Sequence, residues 1–196
     1  TTTPWTLPSN VALCMNAKEK YSKIKVGDEK YILASALISS LFADGEYELI
    51  DEKLGKDYEY TKYEPLFDFV KDQYKDSAWY VVNDDYVTLT DGTGIVHIAP
   101  AFGEDDSKVG KKYNLPFVQL VDSKGCLPKE CGELAGLFVK KADPIIIDML
   151  KKQNKLLKDQ MFTHSYPHCW RCGTPLIYYA RTSWFVATTK MKDQLI

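Results

Sequence analysis

The sequence predicts a single domain of mixed α/β class, with a β-barrel core decorated by helices. The chain has 196 residues, of which 45% are hydrophobic, and this is enough to bury one core. Many short β-rich runs alternate with turns rich in Gly, Asp and Lys, and few stretches have helical periodicity. Many strands with few helices favour a barrel, and no internal repeat or low-complexity segment suggests another architecture.

The first part of the chain is predicted to form strands around one short helix. Apolar and β-branched runs bounded by turn residues predict strands at 11–16, 21–26, 30–33 and 47–54. The run SALISSLF between the last two predicts a short helix, for which Ser35 is a good N-cap residue.

Residues 58–69, YEYTKYEPLFDF, alternate bulky and polar side chains as far as Pro65. This alternation predicts a half-buried strand that leads into a packed loop. Aromatic residues interleaved with Lys are also the pattern of a surface that stacks nucleic-acid bases. Glu59, Glu64 and Asp68 dilute the positive charge, and this favours core packing over base stacking.

The later elements are predicted from the same signals. The runs 79–82 and 86–89, joined by Asn-Asp-Asp, predict a β-hairpin, and FVQLV at 117–121 predicts a strand. Residues 143–157 predict a helix with Asp143 as its cap, Pro144 in its first turn and an apolar face of Ile146, Met149, Leu150 and Leu157. Three further β-rich runs lie at 161–167, 175–180 and 183–189.

The stretch GTGIVHIAPAFGEDD, residues 92–106, is the strongest candidate for a functional site. It predicts a short buried strand at 94–98, a turn at Pro100 and Gly103, and a helix at 104–113 whose first turn carries three acids. The strand end brings His97 near these acids, and an imidazole beside a carboxylate can hold an amine or steer a proton. The alternative is that the acids only cap the helix and that His97 only packs the core.

The opening decapeptide, TTTPWTLPSN, presents four threonine hydroxyls on a backbone that Pro4 and Pro8 stiffen. Such hydroxyls can donate to a carbonyl or a ribose and accept from a water. An edge strand with the β-propensity of threonine is the alternative. Trp5 is predicted to lie in the core.

The five cysteines, an odd number without a signal peptide, indicate a reducing compartment and no disulfide framework. Cys14 is predicted to be a core residue, and no base is identifiable beside any cysteine to activate it as a nucleophile. Cys169 and Cys172, in CWRC beside His168, have the spacing of half a zinc site. A structural zinc ion needs four ligands, so we expect no firmly bound zinc in this chain.

The net charge of −2 predicts weak binding of nucleic acid by this chain alone, because neutralising phosphates takes clustered Lys and Arg. No apolar run is long enough to cross a bilayer. The chain begins and ends inside motifs, so we expect it to be a segment of a larger protein.

Three motifs together resemble one known family. They are TPWTLPSN from Thr3 to Asn10, the GEDD turn, and HSYPHCWRCGTPL from His164 to Leu176. In this order they resemble the editing (CP1) domain inserted into the class I aminoacyl-tRNA synthetases for isoleucine, valine and leucine, and specifically the isoleucyl version. The resemblance covers 1–196 as one domain, with 164–196 as a segment that returns with its CxxC turn towards the catalytic body. It also implies the barrel core decorated by helices.

The resemblance implies a function. The domain would hydrolyse valine from mischarged isoleucine tRNA and would exclude isoleucine by size. Valyl adenylate is a second substrate that the resemblance allows. The implied partners are the 3′ end of that tRNA and the rest of the synthetase, in the cytoplasm. Editing would need no cofactor; zinc is implied only for the full-length enzyme, and ATP and Mg²⁺ for its synthetic site. The alternatives are a non-catalytic module that binds the aminoacylated 3′ end and a structural insert.

Site roles are carried over residue by residue. Asp106 matches the aspartate that holds the substrate's α-ammonium. Thr2 and Thr3 are the other residues assigned to catalysis, whereas Glu104 and Asp105 match helix-start positions. The residues that match substrate-binding positions are Thr1, Thr6, Asn10, His97, which limits the amino-acid pocket, and Tyr166. Ser9 replaces a frequent alanine and AFGEDD differs from the GHGPDD of relatives, and both are expected to tune the loop.

Overall fold

The computed structural model describes residues 1–161 and 165–195 and confirms a mixed α/β fold. The six strands are β1 (Ala12–Met15), β2 (Lys20–Val26), β3 (Glu29–Ala34), β4 (Glu48–Leu54), β5 (Tyr80–Asn83) and β6 (Val96–Ile98). The α-helices are α1 (Ile38–Leu41), α2 (Lys71–Tyr74), α3 (Glu104–Tyr113), α4 (Val139–Lys152) and α5 (Thr188–Leu195). Short 3₁₀ helices lie at Pro4–Ser9, Ser35–Leu37, Gly55–Tyr58 and Lys129–Leu134.

The strands form two three-stranded sheets, in the orders β5-β1-β6 and β3-β2-β4. In the first sheet β1 pairs parallel with β5 and antiparallel with β6, and the second sheet is antiparallel throughout. No closed barrel is found among the described residues, so the barrel remains a prediction.

The main core lies against the β5-β1-β6 sheet and joins it to the two longer helices. Val109 of α3 and Ile146 of α4 are buried in the same cluster as Cys14 of β1 and Ile98 of β6. Trp5 is only 2% exposed, which confirms it as a core residue, and Cys14 is fully buried, as predicted. Of two smaller clusters, one contains side chains from both sheets and the other packs Ile24 and Leu33 of the β3-β2-β4 sheet against Ile38 and Phe42. The first sheet is therefore the platform that positions the candidate site.

Several predicted strands are wrong, because their backbones form no regular ladder with a neighbouring strand. Residues 60–63 lie beside β5 and share backbone hydrogen bonds with residues 79–81, but the pairing amounts to one isolated bridge, Lys62 to Tyr80, because Tyr60 has a left-handed φ of 62° that interrupts a regular ladder. Residues 86–89 do not return as a hairpin, since β5 pairs with β1 and the Asn16 amide binds the Val87 carbonyl. The run 117–121 is buried in part, but its Leu120 N–H donates to the Ser9 hydroxyl.

Two predicted helix starts are also wrong. Ser35 does not cap with its side chain; its hydroxyl binds Ser22 and Glu52 of the neighbouring strands. Helix α4 begins at Val139, four residues before Asp143, because buried Val139 and Ala142 extend the apolar face beyond Pro144, which lies inside the helix.

The end of the chain contains less sheet than predicted. The runs at 175–180 and 183–189 are not strands, and α5 begins within the second of them. The predicted strand at 161–167 falls partly on residues 162–164, including His164, which lie outside the described residues.

Candidate functional site

The threonine-rich segment forms a 3₁₀ helix, Pro4–Ser9, with a proline at its start. Thr3 precedes this helix, and its carbonyl accepts hydrogen bonds from the Thr6 amide at 3.0 Å and from the Thr6 hydroxyl at 2.8 Å. Proline suits the first position of a helix because its missing N–H would have no partner there. The segment is therefore a tight turn that carries its hydroxyls on a fixed backbone, and it does not form the edge strand that was the alternative interpretation.

Trp5 anchors this turn in the core. Its amide donates to the Asp143 carboxylate of α4 at 2.8 Å, and its ring meets the ring of Phe102 edge to face, with centroids 5.2 Å apart. Phe102 immediately precedes Gly103, the N-cap of α3. Trp5 thus ties the threonine turn to α4 through its backbone amide and to the turn that begins α3 through its buried ring.

His97 lies in β6 opposite Leu13 of the central strand β1. Its Nε2 is 3.1 Å from the Thr6 hydroxyl, and its Nδ1 is buried without a hydrogen-bond partner in the part of the chain that the structure describes. Burial lowers the pKa of the imidazole to about 4. The ring is therefore neutral at pH 7.

Asp106 lies in the first turn of α3, whose bounds, Glu104–Tyr113, are those predicted. Its Oδ2 accepts the Ala99 amide at 2.9 Å, and Ala99 follows β6 two residues after His97. Burial raises the pKa of the Asp106 carboxyl, while the bond from Ala99 opposes that rise. Glu104 and Asp105 are exposed and both pair with Lys108, as suits residues that only begin a helix.

The structure brings four of the predicted site residues into one hydrogen-bonded group. The Thr6 hydroxyl contacts His97 and lies 3.4 Å from the Thr3 hydroxyl, which is itself 3.3 Å from that of Thr1. Asp106 joins this group through Ala99 and the backbone of β6. Thr2 lies between Thr1 and Thr3 and is exposed.

Asn10 and Tyr166 have other surroundings. The Asn10 amide is buried; it donates to the Ala12 carbonyl at 2.8 Å and accepts the Tyr63 hydroxyl at 2.6 Å. The Tyr166 ring lies 4.7 Å from the Lys140 ammonium of α4. Asn10 thus holds the end of the threonine turn, and its side chain is engaged inside the protein.

Asp143 and Ala99 are residues that sequence reasoning missed as parts of the site. An aspartate before a proline is typical of a helix start, so the local signal for Asp143 indicated a cap. Its bond to Trp5 joins residues 138 positions apart, and no local pattern carries such a pairing. Ala99 contributes only a backbone amide, which sequence does not distinguish from any other.

The CxxC turn is a separate feature. The Cys169 amide donates to the Thr174 carbonyl at 2.8 Å, and Cys172 Sγ lies 3.0 Å from the Thr174 hydroxyl. Hydrogen bonding with Thr174 lowers the pKa of Cys172 to about 7. Within residues 1–161 and 165–195, no three His, Cys, Asp or Glu side chains come together as a metal site would require.

Among the described helices, none combines the length and apolar character needed to span a membrane.

Comparison with known proteins finds relatives of this chain in sequence and in fold. No protein-family model matches the chain. Over its whole length the chain is 53% identical to the isoleucine–tRNA ligase of Clostridium acetobutylicum and 52% identical to that of Clostridium novyi. In both cases the match covers 19% of the relative, so the chain spans about a fifth of the length of these ligases.

Solved structures show the same fold at low sequence identity. A crystal structure of GlLeuRS-CP1 matches with a TM-score of 0.62 at 16% identity, over 86% of this chain and 83% of that one. The editing domain of the cytosolic leucyl-tRNA synthetase of P. falciparum matches with a TM-score of 0.57 at 12% identity, over 78% and 75% of the two chains. Over its whole length the chain is therefore similar to a segment of isoleucine–tRNA ligases, and it has the fold of a CP1 editing domain.

Proposed function

We propose that this segment hydrolyses the ester that joins valine to the terminal ribose of isoleucine tRNA, and that it leaves the isoleucyl ester intact. The observation that carries the proposal is the convergence of the threonine turn, His97 and Asp106 around the end of β6. The names of the relatives, isoleucine–tRNA ligase and leucyl-tRNA synthetase editing domain, support it.

An isoleucine-specific ligase has a chemical need for such a site. Isoleucine exceeds valine by one methylene, and a hydrophobic pocket discriminates a methylene by only about 1 to 3 kcal/mol, a limit for which this amino-acid pair is the usual example. A second pocket that admits valine and excludes isoleucine removes the remaining errors. Valyl adenylate, which carries the same amino acid, is a further substrate under this proposal.

Asp106 is proposed to bind the α-ammonium group of the aminoacyl ester. Its Oδ2 is held by the Ala99 amide, so the carboxylate is fixed in direction, and Oδ1 is the atom proposed to meet the ammonium group. The neutral His97 does not compensate the negative charge of Asp106. An ionised carboxylate against an ammonium gives a charge-assisted bond that anchors the ester for attack.

Water is the proposed nucleophile. A water molecule adds to the ester carbonyl, the bond to the ribose oxygen breaks, and the proton passes to that oxygen. Hydroxyls of Thr2 and Thr3 are proposed to orient the water and to stabilise the developing oxyanion, while Thr1, Thr6, Asn10 and Tyr166 support the substrate. The Thr6 hydroxyl donates its hydrogen bond to the Thr3 carbonyl, which fits a positioning role. No metal or organic cofactor is proposed for this step.

The proposal places this segment beside the rest of its ligase in the cytoplasm, where the tRNA 3′ end reaches it. ATP and Mg²⁺ would serve the synthetic site of the whole enzyme, and any zinc at Cys169 and Cys172 would need further ligands from that enzyme.

Deacylation of valyl-tRNA(Ile) beside isoleucyl-tRNA(Ile) by the full-length enzyme tests the proposal. We expect the wild-type enzyme to release valine selectively. Asp106→Ala should slow this release or make it unselective, and His97→Ala should allow isoleucine to be released as well. Asp105→Ala is the matched control, because Asp105 lies in the same helical turn but is exposed and paired with Lys108. If neither ester is cleaved faster than in buffer, the segment is a non-catalytic module that binds the charged 3′ end or a structural insert.

A further inference from the structure

The hydrogen bonds of the Thr6 hydroxyl define where its proton lies. A hydroxyl has one proton to donate and two lone pairs to accept. The Thr3 carbonyl cannot donate, so the 2.8 Å contact with it must use the Thr6 proton. The Thr6 oxygen can therefore only accept from its other partners.

His97 Nε2 is one of those partners, at 3.1 Å. Since Thr6 has no proton left for this contact, Nε2 must carry the hydrogen. In a neutral imidazole only one nitrogen is protonated, so Nδ1 bears a lone pair. This agrees with the surroundings of Nδ1, which is buried and has no carbonyl or carboxylate to receive a proton among the residues described.

We infer that Thr6 is a positioning residue that locks His97 in its Nε2–H tautomer, with the Thr3 carbonyl holding the Thr6 proton. The lock also fixes the rotation of the ring, because exchange of the two nitrogens by a ring flip would break the bond to Thr6. The hydrogen bonds thus run in one direction: His97 Nε2–H donates to the Thr6 hydroxyl, and the Thr6 hydroxyl donates to the Thr3 carbonyl.

The lock deepens the proposed function and rests on it for its purpose. A side chain that lines the pocket and separates valine from isoleucine must keep its position to within less than the width of one methylene group. An imidazole ring held by a hydrogen bond at one edge meets that need. The pKa of His97, lowered to about 4 by burial, keeps the ring uncharged at pH 7, so the lock acts on a neutral tautomer.

Nitrogen NMR of the imidazoles tests the lock without any activity measurement. The chain has three histidines, His97, His164 and His168, so the two-bond proton–nitrogen spectrum of the ¹⁵N-labelled 196-residue chain is simple, and His97→Gln assigns the His97 signals. At pH 7 we expect His97 to show a protonated Nε2 and a bare Nδ1. A protonated Nδ1 would overturn the inference.

Three variants separate the lock from general damage to the turn. Thr6→Val removes the acceptor at nearly constant shape and should give loss of the single tautomer. Thr6→Ser keeps the hydroxyl and should retain the single tautomer. Thr3→Val keeps the Thr3 carbonyl and should also leave the tautomer unchanged. An unaltered tautomer in Thr6→Val refutes the role of Thr6.

Deacylation by the full-length enzyme then reports the purpose of the lock. We expect Thr6→Val to lower the preference for the valyl over the isoleucyl ester by roughly tenfold, as expected from loss of one buried hydrogen bond, with recovery in Thr6→Ser. A locked tautomer in an enzyme that cleaves neither ester would refute the proposed function and leave the lock standing. A preference unchanged in Thr6→Val would refute its role in specificity.

Discussion

At the residue scale, the candidate site depends on two partly buried ionisable groups whose pKa values shift in opposite directions when the protein folds. Burial lowers the pKa of His97 to about 4 and raises that of Asp106. In each case the fold favours the uncharged form of the group. The two groups therefore give stability profiles that differ in both direction and pH window.

His97 should make the protein less stable in mild acid. Its pKa is about 4 when folded and ordinarily 6.5, so the unfolded chain takes up a proton first as the pH falls from 6.5 to 4. The free energy of unfolding should decrease by about 2 kcal/mol between pH 7.5 and pH 5 through this residue. Urea unfolding at both pH values, for the wild type and for His97→Gln, measures the difference.

The comparison with His97→Gln also removes the contribution of the acids. Asp106 and Asp143 have raised pKa values, so their stability contribution is lost as the pH rises from 3.8 through their folded values and is constant above. They titrate alike in both proteins. An equal pH dependence in wild type and variant would contradict the shift assigned to His97.

At the element scale, helix α3 is placed by its contact with the turn that follows β6. Gly110, in the middle of α3, lies directly against the Pro100 ring. A Cβ atom at Gly110 would stand 2.9 Å from Pro100 Cγ and 3.1 Å from Pro100 Cβ. The close approach holds the first turn of the helix, with Asp106, beside Ala99.

Gly110→Ala should therefore destabilise the protein, contrary to the usual gain from alanine in a helix. Alanine is normally favoured over glycine by about 1 kcal/mol in a helix interior. Here the helix must shift away from a rigid proline ring, and overpacking of this kind costs about 1 to 3 kcal/mol. Denaturant unfolding beside Lys111→Ala, an exposed neighbour on the same helix, measures the effect. A more stable Gly110→Ala would show that α3 moves freely over Pro100.

Helix α4 has an equivalent role for the threonine turn, through Asp143 and the Trp5 amide. Asp143→Leu should lower the free energy of unfolding by about 1 to 3 kcal/mol, because it leaves a buried N–H without an acceptor. Asp143→Asn keeps a carbonyl oxygen at the same place and should retain most of the stability. Asp148→Leu is the control, since Asp148 is exposed and pairs with Lys152 on the same helix. Equal losses in the Leu and Asn variants would contradict the anchoring role.

At the scale of the whole molecule, large apolar side chains are exposed near the end of the chain. Trp184, Trp170 and Phe185 have exposed fractions of 103%, 88% and 86%. Exposed apolar surface of this kind favours association. The double change Trp184→Gln and Phe185→Gln should reduce self-association of the 196-residue chain in sedimentation velocity, while the free energy of unfolding changes by less than about 0.5 kcal/mol. Phe117→Gln, at an isolated exposed site, should leave association unchanged; a double variant that associates as the wild type does would contradict the prediction.

Local signals in the sequence predicted local structure well. Helix α3 was predicted at its observed bounds because three acids mark its start, and β1 to β4 were located because apolar runs alternate with clear turns. The run 117–121 has the same signals, yet its Leu120 amide binds Ser9 and pairs with no strand. A β-propensity describes a side chain's fit to a sheet and cannot tell whether a partner strand is present.

The same limit applies to the site. Thr6, His97 and Asp106 were identified from their motifs, but the bond between Thr6 and His97 joins residues 91 positions apart, and the parallel pairing of β1 with β5 is also remote in sequence. Three-dimensional contacts of this kind decide which hydroxyl meets which ring. The roles of the site residues in catalysis stay predictions until deacylation is measured.

The bond between Trp5 and Asp143 also has a consequence for folding of the protein during its synthesis on the ribosome. The threonine turn is made 138 residues before its anchor, so at 5 to 20 residues per second it waits roughly 7 to 28 s for α4 to be synthesised. During that interval the indole ring of Trp5 has no completed core to enter. The nascent chain thus offers an aromatic, proline-flanked segment to chaperones, and the candidate site is assembled only after translation has passed α4.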